Sequence, residues 1–477
     1  MLKGLEVSVL RKSEALEENN TKRIDPEFFI KAAVEAFRRL KDEPRLGDFV
    51  KDGYRVVYET TKVVDRDEGV SDGLPFFLQS ADITTPFINA DRMACVPEAD
   101  WLRYPRGRIK AGELLIEVKG KAEKVAVVPD DFPSRTLVTG TCYKLTTHEK
   151  WQRSLLVAHL IGRYGAILKD RLKTNLLVAY IAKDDLYRIP VPNIGEALAD
   201  RVHAIVQSSL AKRNEILQAQ ESASSALLSA IGLADWTPPE PLSYTARASD
   251  VFASGRFDAQ YFMPAKEQVK QSLAVLPGQL LSDRVNSIRD QWVPDRAPPT
   301  MRVRNYDLTD ALVPLLDAEK EPSFADEIGS MKKVFKDGDV AISRLRAYLK
   351  EVAVVRTGDD ICSVGSSEFI VLRPKDKAIS PETLMVFLRS APVQTILKWC
   401  QDGSQHPRFS EADLLSIPVP DAVATVSDQI TKIVQDGFTA RHRARKLLEA
   451  AKCAVEIAIE DGELAAMAYL DQAEGAV

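Results

Sequence analysis

No apolar run in the 477 residues approaches the roughly 18 that a membrane helix needs. The first stretch, MLKGLEVSVLRKSE, carries charges where a secretion signal would be apolar. Both lacks predict a cytoplasmic protein without a membrane segment. Cysteine is scarce: Cys95, Cys142, Cys362, Cys400 and Cys453 are scattered, odd in number and without a C-x-x-C pair, so they are expected to be reduced structural residues. The five histidines (His148, His159, His203, His406 and His442) lack ligand spacing such as H-x-x-x-H, and no metal is expected. Missing too are a G-x-x-x-x-G-K-[ST] phosphate loop, a G-x-G-x-x-G fingerprint and an aromatic-ended N-P-P or D-P-P methyltransferase signature. A net charge of -5 argues against a wholly basic nucleic-acid coat but leaves local patches open.

What is present is a soluble, globular composition, 45% hydrophobic and 28% charged, on a chain long enough for two to four domains. An internal repeat runs nearly end to end. RKSEAL (Arg11 to Leu16) resembles RASDVF (Arg247 to Phe252), and RIDPEFF (Arg23 to Phe29) returns as RFDAQYF (Arg256 to Phe262). LPFFLQSADI (Leu74 to Ile83) aligns with PTMRVRNYDL (Pro299 to Leu308), which sets Gln79 opposite Arg304. IKAGELLIEVKGKAEKVAVV (Ile109 to Val128) recurs as FKDGDVAISRLRAYLKEVAVV (Phe335 to Val355), and IPVP occurs at Ile189 and again at Ile417. Five blocks in one order, displaced by 225 to 236 residues, mark a tandem duplication and predict two similar domains about a pseudo-two-fold axis.

Within each half the blocks read as mixed α/β. Gly112 and Gly338 fit turns of a hairpin whose VAVV run fits a strand, and helical periodicity precedes each IPVP. The prolines of IPVP fix φ and hold their neighbours extended, so no helix forms there. Gly195 to Gly232 and Ser427 to Gly462 then read as long helices with narrow apolar stripes, interrupted mildly at Gly437. At 1.5 Å per residue each spans roughly 50 Å, and such stripes are best buried against one another or a partner; closing one repeat each, the two helices can mate antiparallel.

In these motifs, above all GELLI with KVAVVP (Gly112 to Pro129), GSQHPRFSEADLLSIPVP (Gly403 to Pro420) and the helix after each IPVP, the chain resembles the specificity subunits of type I restriction-modification enzymes over almost its whole length. The resemblance implies two target recognition domains reading a split DNA sequence, divided into residues 1–192 with an N-terminal arm, a first spacer helix and linker at 193–240, a second domain at 241–420, a second helix at 421–465 and a tail at 466–477. It implies double-stranded DNA as ligand and two DNA methyltransferase subunits as partners, with S-adenosylmethionine carried by those subunits. Restriction subunits using ATP and Mg are a further implied partner, while the chain itself holds no cofactor and does no chemistry. The first half has RLKTNLLVAYIAKDDLYR before its IPVP, without the GSQ stretch of the second.

DNA binding needs cations toward phosphates and fork-shaped or amide groups toward base edges. Arg103 to Lys124, with Arg106, Arg108, Lys119, Lys121 and Lys124, carries a local excess of about four positive charges, as does Lys332 to Arg356, with Arg344, Arg346 and Lys350. Solvated hairpin faces would look the same, yet charges differ between the halves while the apolar frame persists. Gln79 and Arg304 are candidates for base contacts, since each side chain can bond two edge atoms at once. Ser404, Gln405, His406 and Arg408, beside Pro407, form a further candidate set. RHRARK (Arg441 to Lys446) suits phosphates or an acidic partner. One enzyme reading competes: Glu117-Val118-Lys119 looks like the end of a PD-(D/E)xK nuclease site, but the second copy has Ser343-Arg344-Leu345 there.

Overall fold

The computed structural model describes residues 9–16, 19, 22–58, 61–90, 93–174, 178–239, 241–403 and 405–474. The chain forms two compact units, Met1–Arg213 with Arg441–Val477, and Asn214–Ala440. No helix among the described residues is long and apolar enough to cross a membrane.

In the first unit a four-stranded antiparallel sheet runs in the order Val50–Tyr54, Cys142–Thr147, Leu114–Glu117, Val125–Val127. The second unit repeats it as Val285–Ile288, Phe369–Pro374, Val340–Ser343, Val352–Arg356 and adds Leu315–Asp317, parallel to the last. Because strand side chains alternate in direction, each sheet feeds two cores. Leu114, Ile116, Val125 and Val127 face helices Lys150–Ile161 and Arg163–Leu172, while Leu115 and Ala126 face the other way. In the second unit Val340, Ile342, Val352 and Val354 share a core with helices Pro381–Arg389 and Ala391–Cys400, and Ala341, Ala353 and Val355 lie in a separate one. Burial on both faces explains why these strands read as unbroken apolar runs rather than alternating ones. A second sheet follows in each unit: Phe76–Leu78 lies parallel to Thr136–Val138, as Arg302–Tyr306 lies parallel to Cys362–Gly365.

The repeated polar residues hold this frame. Gly112 and Gly338 both take φ +80, a turn conformation that disfavours side chains. The next residue closes the turn, Glu113 accepting from Lys110 N at 2.8 Å and Asp339 from Lys336 N at 2.8 Å. Each carboxylate is then neutralised by a cation from a neighbouring strand, Lys144 Nζ at 2.7 Å and Arg373 Nε at 2.7 Å. In the R-x-D boxes Arg23 and Arg256 pair with Asp25 and Asp258. Their guanidiniums donate to Arg171 O at 3.0 Å and Gln401 O at 3.0 Å, satisfying carbonyls that a helix end leaves without partners.

IPVP is extended in both units and acts as an edge strand. Leu46 N donates to Ile189 O at 2.8 Å, and Leu281 N to Ile417 O at 2.9 Å. Ile189, Val191, Ile417 and Val419 point inward and are buried, while the prolines, without N–H groups, fill positions that need no donor.

The long helices occupy Glu196–Ala230 and Ser427–Asp461, 35 residues each, within two residues of the expected limits. In the first unit Gly195 N donates to Glu463 Oε1 at 2.6 Å and Ser209 Oγ to Ala444 O at 2.8 Å. The two segments there run antiparallel, with Val202 and Val206 sharing a core with Ala451 and Val455. In the second unit Ala223 and Leu227 share one with Ile430 and Val434. Gly437 is a point of close approach, since an added Cβ would lie 2.9 Å from Ala219 Cβ. Beyond Gly462, at φ +88, the expected tail is helical over Glu463–Glu474. Each long helix is shared between the compact units rather than forming a domain of its own.

His159 Nε2 lies 2.9 Å from Pro190 O, and burial pushes its imidazole down to about 4. The unfolded chain therefore takes up this proton first as pH falls, and stability present above about 6.5 is lost toward pH 4, by about 2–3 kcal/mol. His159→Phe, copying the buried Phe387 at the same place in the second unit, is expected to flatten that part of a pH series of urea unfolding curves.

Candidate nucleic-acid interface

Both hairpins end in a tip closed by one matched bond, Glu117 N to Lys124 O at 2.9 Å and Ser343 N to Glu351 O at 2.9 Å. A second loop seats against each tip. In the second unit Asp402 and Arg408 exchange backbone bonds of 2.9 and 2.8 Å, and Arg346 N donates to Pro407 O at 2.9 Å and Phe409 N to Arg344 O at 3.2 Å. The first unit repeats this with Thr174 and Tyr180 at 2.8 and 3.0 Å, Gly120 N to Ala179 O at 3.0 Å and Ile181 N to Val118 O at 2.9 Å. Thr174 and Ala179 to Ile181 thus take the places of Asp402 and Pro407 to Phe409 without sharing their residue types. A third matched bond joins Val118 N to Thr141 O at 2.9 Å and Arg344 N to Glu368 O at 3.1 Å.

On this common backbone the side chains differ. In the second unit the tip and loop bring Arg344, Arg346, Gln405, His406 and Arg408 together. Arg346 Nη2 lies 3.3 Å from His406 Nδ1 and donates to Gln405 O at 3.4 Å. Glu368 accepts from Arg344 Nε at 2.8 Å and Arg408 Nη2 at 2.8 Å; Arg408, then Arg344, hold its carboxyl down to about 2 against the opposing effect of burial. Arg346 and Lys350 adopt φ 50 and 52, a left-handed conformation costing roughly 1–2 kcal/mol for residues with a Cβ. A bond from Arg346 N to Pro407 O at 2.9 Å and one from Arg389 Nη1 to Lys350 O at 2.7 Å hold it. Strain of this kind gathers where side chains must be aimed. Ser404 lies outside the described residues.

In the first unit Lys119 and Lys121 are exposed at the tip, and Lys124 Nζ donates to Ser80 O at 2.6 Å, bringing it beside half-buried Gln79. Arg55 Cζ lies 5.0 Å from the Tyr180 ring centroid. Beneath the tip, Lys169 Nζ donates to Glu123 O at 3.0 Å, with burial lowering its pKa to about 8.

Three expectations are corrected. The basic islands are not single patches: Arg106 and Arg108 sit at the Gly112 end of Leu114–Glu117, away from Lys119, Lys121 and Lys124. Arg106 stacks 4.1 Å over Tyr54, and Arg108 stacks 4.2 Å over Trp101 and donates to its carbonyl at 2.9 Å. The register of Gln79 on Arg304 is wrong by three. Gln79 N bonds Asp82 Oδ2 at 2.8 Å as Asp307 N bonds Asp310 Oδ2 at 2.7 Å, so Gln79 matches Asp307. Arg304, with its side chain 3% exposed, binds both Asp359 oxygens at 2.9 and 2.8 Å and Lys320 O at 2.8 Å, which commits it to structure rather than to base edges.

Glu117 is buried and accepts from Glu123 N at 3.1 Å and Lys124 N at 3.4 Å. It caps the turn at the hairpin tip. Arg55, Tyr180 and Glu368 were missed. Glu368 alone left a signal, as an acid in the polar turn GSSEF between two apolar runs. Arg304→Ala is expected to lower the urea midpoint of the second unit and leave any sequence preference in DNA binding unchanged; a shifted preference at constant stability would return Arg304 to base reading.

No family model and no curated protein matches the chain. Among solved structures, the HsdS subunit from Thermoanaerobacter tengcongensis matches 88% of this chain and 96% of its own at 14% identity, with a TM-score of 0.26. The type-I restriction-modification system S subunit from M. genitalium matches 88% of this chain and 94% of its own at 12% identity, with a TM-score of 0.30. A chain from a structure of the type I R-M system, described for complex assembly and conformational transition, matches 88% and 97% at 13% identity, with a TM-score of 0.26.

Proposed function

We propose that this chain is the DNA-recognition subunit of a type I restriction-modification complex, each unit reading one half of a bipartite target. One observation carries the reading. The same backbone bonds build a tip and a seated loop in both units, while the side chains displayed there are exchanged. Such an arrangement suits two sequence specificities on one scaffold, since side chains at base edges choose the sequence and can be exchanged here while the protein's main-chain frame stays the same. The motif resemblance points the same way.

The chain supplies recognition and no chemistry. Two methyltransferase subunits carrying S-adenosylmethionine would modify target adenines, and restriction subunits using ATP and Mg would cleave. Lys119, Lys121 and Lys124 in the first unit, and Arg344, Arg346, Lys350, Gln405, His406 and Arg408 in the second, are the proposed contacts. Gln79 remains among them beside Lys124, and Arg106 is retained only as an exposed phosphate contact.

Lys119→Ala with Lys121→Ala is expected to lower the salt slope of DNA binding by about 2, since each phosphate contact releases close to one counterion; an unchanged slope counts against both. Inserting a few residues within Glu196–Ala230 is expected to change the tolerated gap between half-sites, with both half-sequences unaltered. Methylation mapping of the source genome with and without this chain tests the function itself. Loss of a split adenine-methylated motif is the expected result, and an unchanged map rejects it.

A further inference from the structure

We infer that Glu368 is a specificity-determining residue whose carboxylate stands in for a DNA phosphate between Arg344 and Arg408, restraining binding to DNA that offers charge alone. The inference rests on the DNA-reading function proposed above.

Three side chains converge at the second tip. Glu368 Oε2 receives Arg344 Nε at 2.8 Å and Arg408 Nε at 3.1 Å, while Oε1 receives Arg408 Nη2 at 2.8 Å. Two guanidiniums on one oxyanion, Arg408 as a fork and Arg344 through Nε alone, is how arginines take hold of a phosphate. The group stays open to water, with side-chain exposures of 45% for Arg344, 41% for Arg408 and 23% for Glu368. Ion pairs this wet stabilise a fold little.

Nor does the frame need the trio. At the matched positions of the first unit stand Val118, Thr141 and Tyr180, and the backbone bonds between tip, turn and loop are made there without a charge. Both arginines and the carboxylate are absent together. A residue kept only to close the turn could be threonine, as Thr141 is, so Glu368 belongs with its arginines rather than with the fold.

Any duplex must therefore compete with Glu368 for these two cations. Non-specific DNA brings only phosphates to that exchange, whereas the right sequence adds base-edge contacts that offset the displaced pair. Specificity here comes from raising the cost of wrong partners.

The full chain and Glu368→Gln, which keeps the shape and removes the charge, are compared on a random-sequence duplex between about 50 and 200 mM salt. The variant is expected to bind about 10-fold tighter at low salt, with a slope steeper by about 1–2. Adding Arg408→Gln is expected to return the slope toward the starting value. Weaker binding at the original slope, or no change, overturns the inference and leaves DNA reading intact. An unmodified chain with no salt-dependent binding instead rejects the function. Should Glu368→Gln fail to fold by circular dichroism, the first unit's own set, Arg344→Val with Glu368→Thr and Arg408→Tyr, replaces it. Random-duplex binding is then expected to change little, and a large loss overturns the inference.

Discussion

Main-chain hydrogen bonds between hairpin tip and seated loop are the constraint on which the rest depends. They tie Gly120 to Ala179 and Arg346 to Pro407 through main-chain atoms alone. A tip held by side-chain packing could not exchange residues without collapsing, whereas a tip held by amides and carbonyls can. The buried sheet beneath supplies rigidity, because each central strand is gripped by two cores at once.

The two tips solve the same mechanical problem with different chemistry. The first presents lysines and an arginine stacked on Tyr180, and the second presents arginines, a histidine and a carboxylate. Left-handed Arg346 and Lys350 show that the second tip accepts backbone strain, and Arg389 holds it from the helix behind. The first tip is braced from behind by a different group, the amine of Lys169 on Glu123 O.

The duplication, the hairpins with Gly112 and Gly338 at their turns, the extended IPVP and both long helices were legible in the sequence, since each rests on periodicity or on the special backbone of glycine and proline. The site was legible only in part. Strand periodicity does not fix register, and the shared Asp-aliphatic pair aligns Gln79 with Arg304 in sequence although Asp82 is matched in structure by Asp310. Counting charge along the chain merged Arg106 and Arg108 with Lys119 to Lys124, although a strand carries its two ends apart. Thr174 and Ala179 to Ile181 gave no sign of their kinship with Asp402 and Pro407 to Phe409, because the likeness lies in main-chain geometry, where residue identity is silent.

The C-terminal helix returns to the first unit, where Ala466 and Leu470 are buried in the same core as Leu198, and Glu463 caps the backbone at Gly195. That core is discontinuous in the chain, whereas Asn214–Ala440 is a single uninterrupted stretch. On the ribosome the later-encoded module can thus be finished first. The earlier one must wait, incomplete, until the segment beyond Ala440 that completes its core has been translated as well.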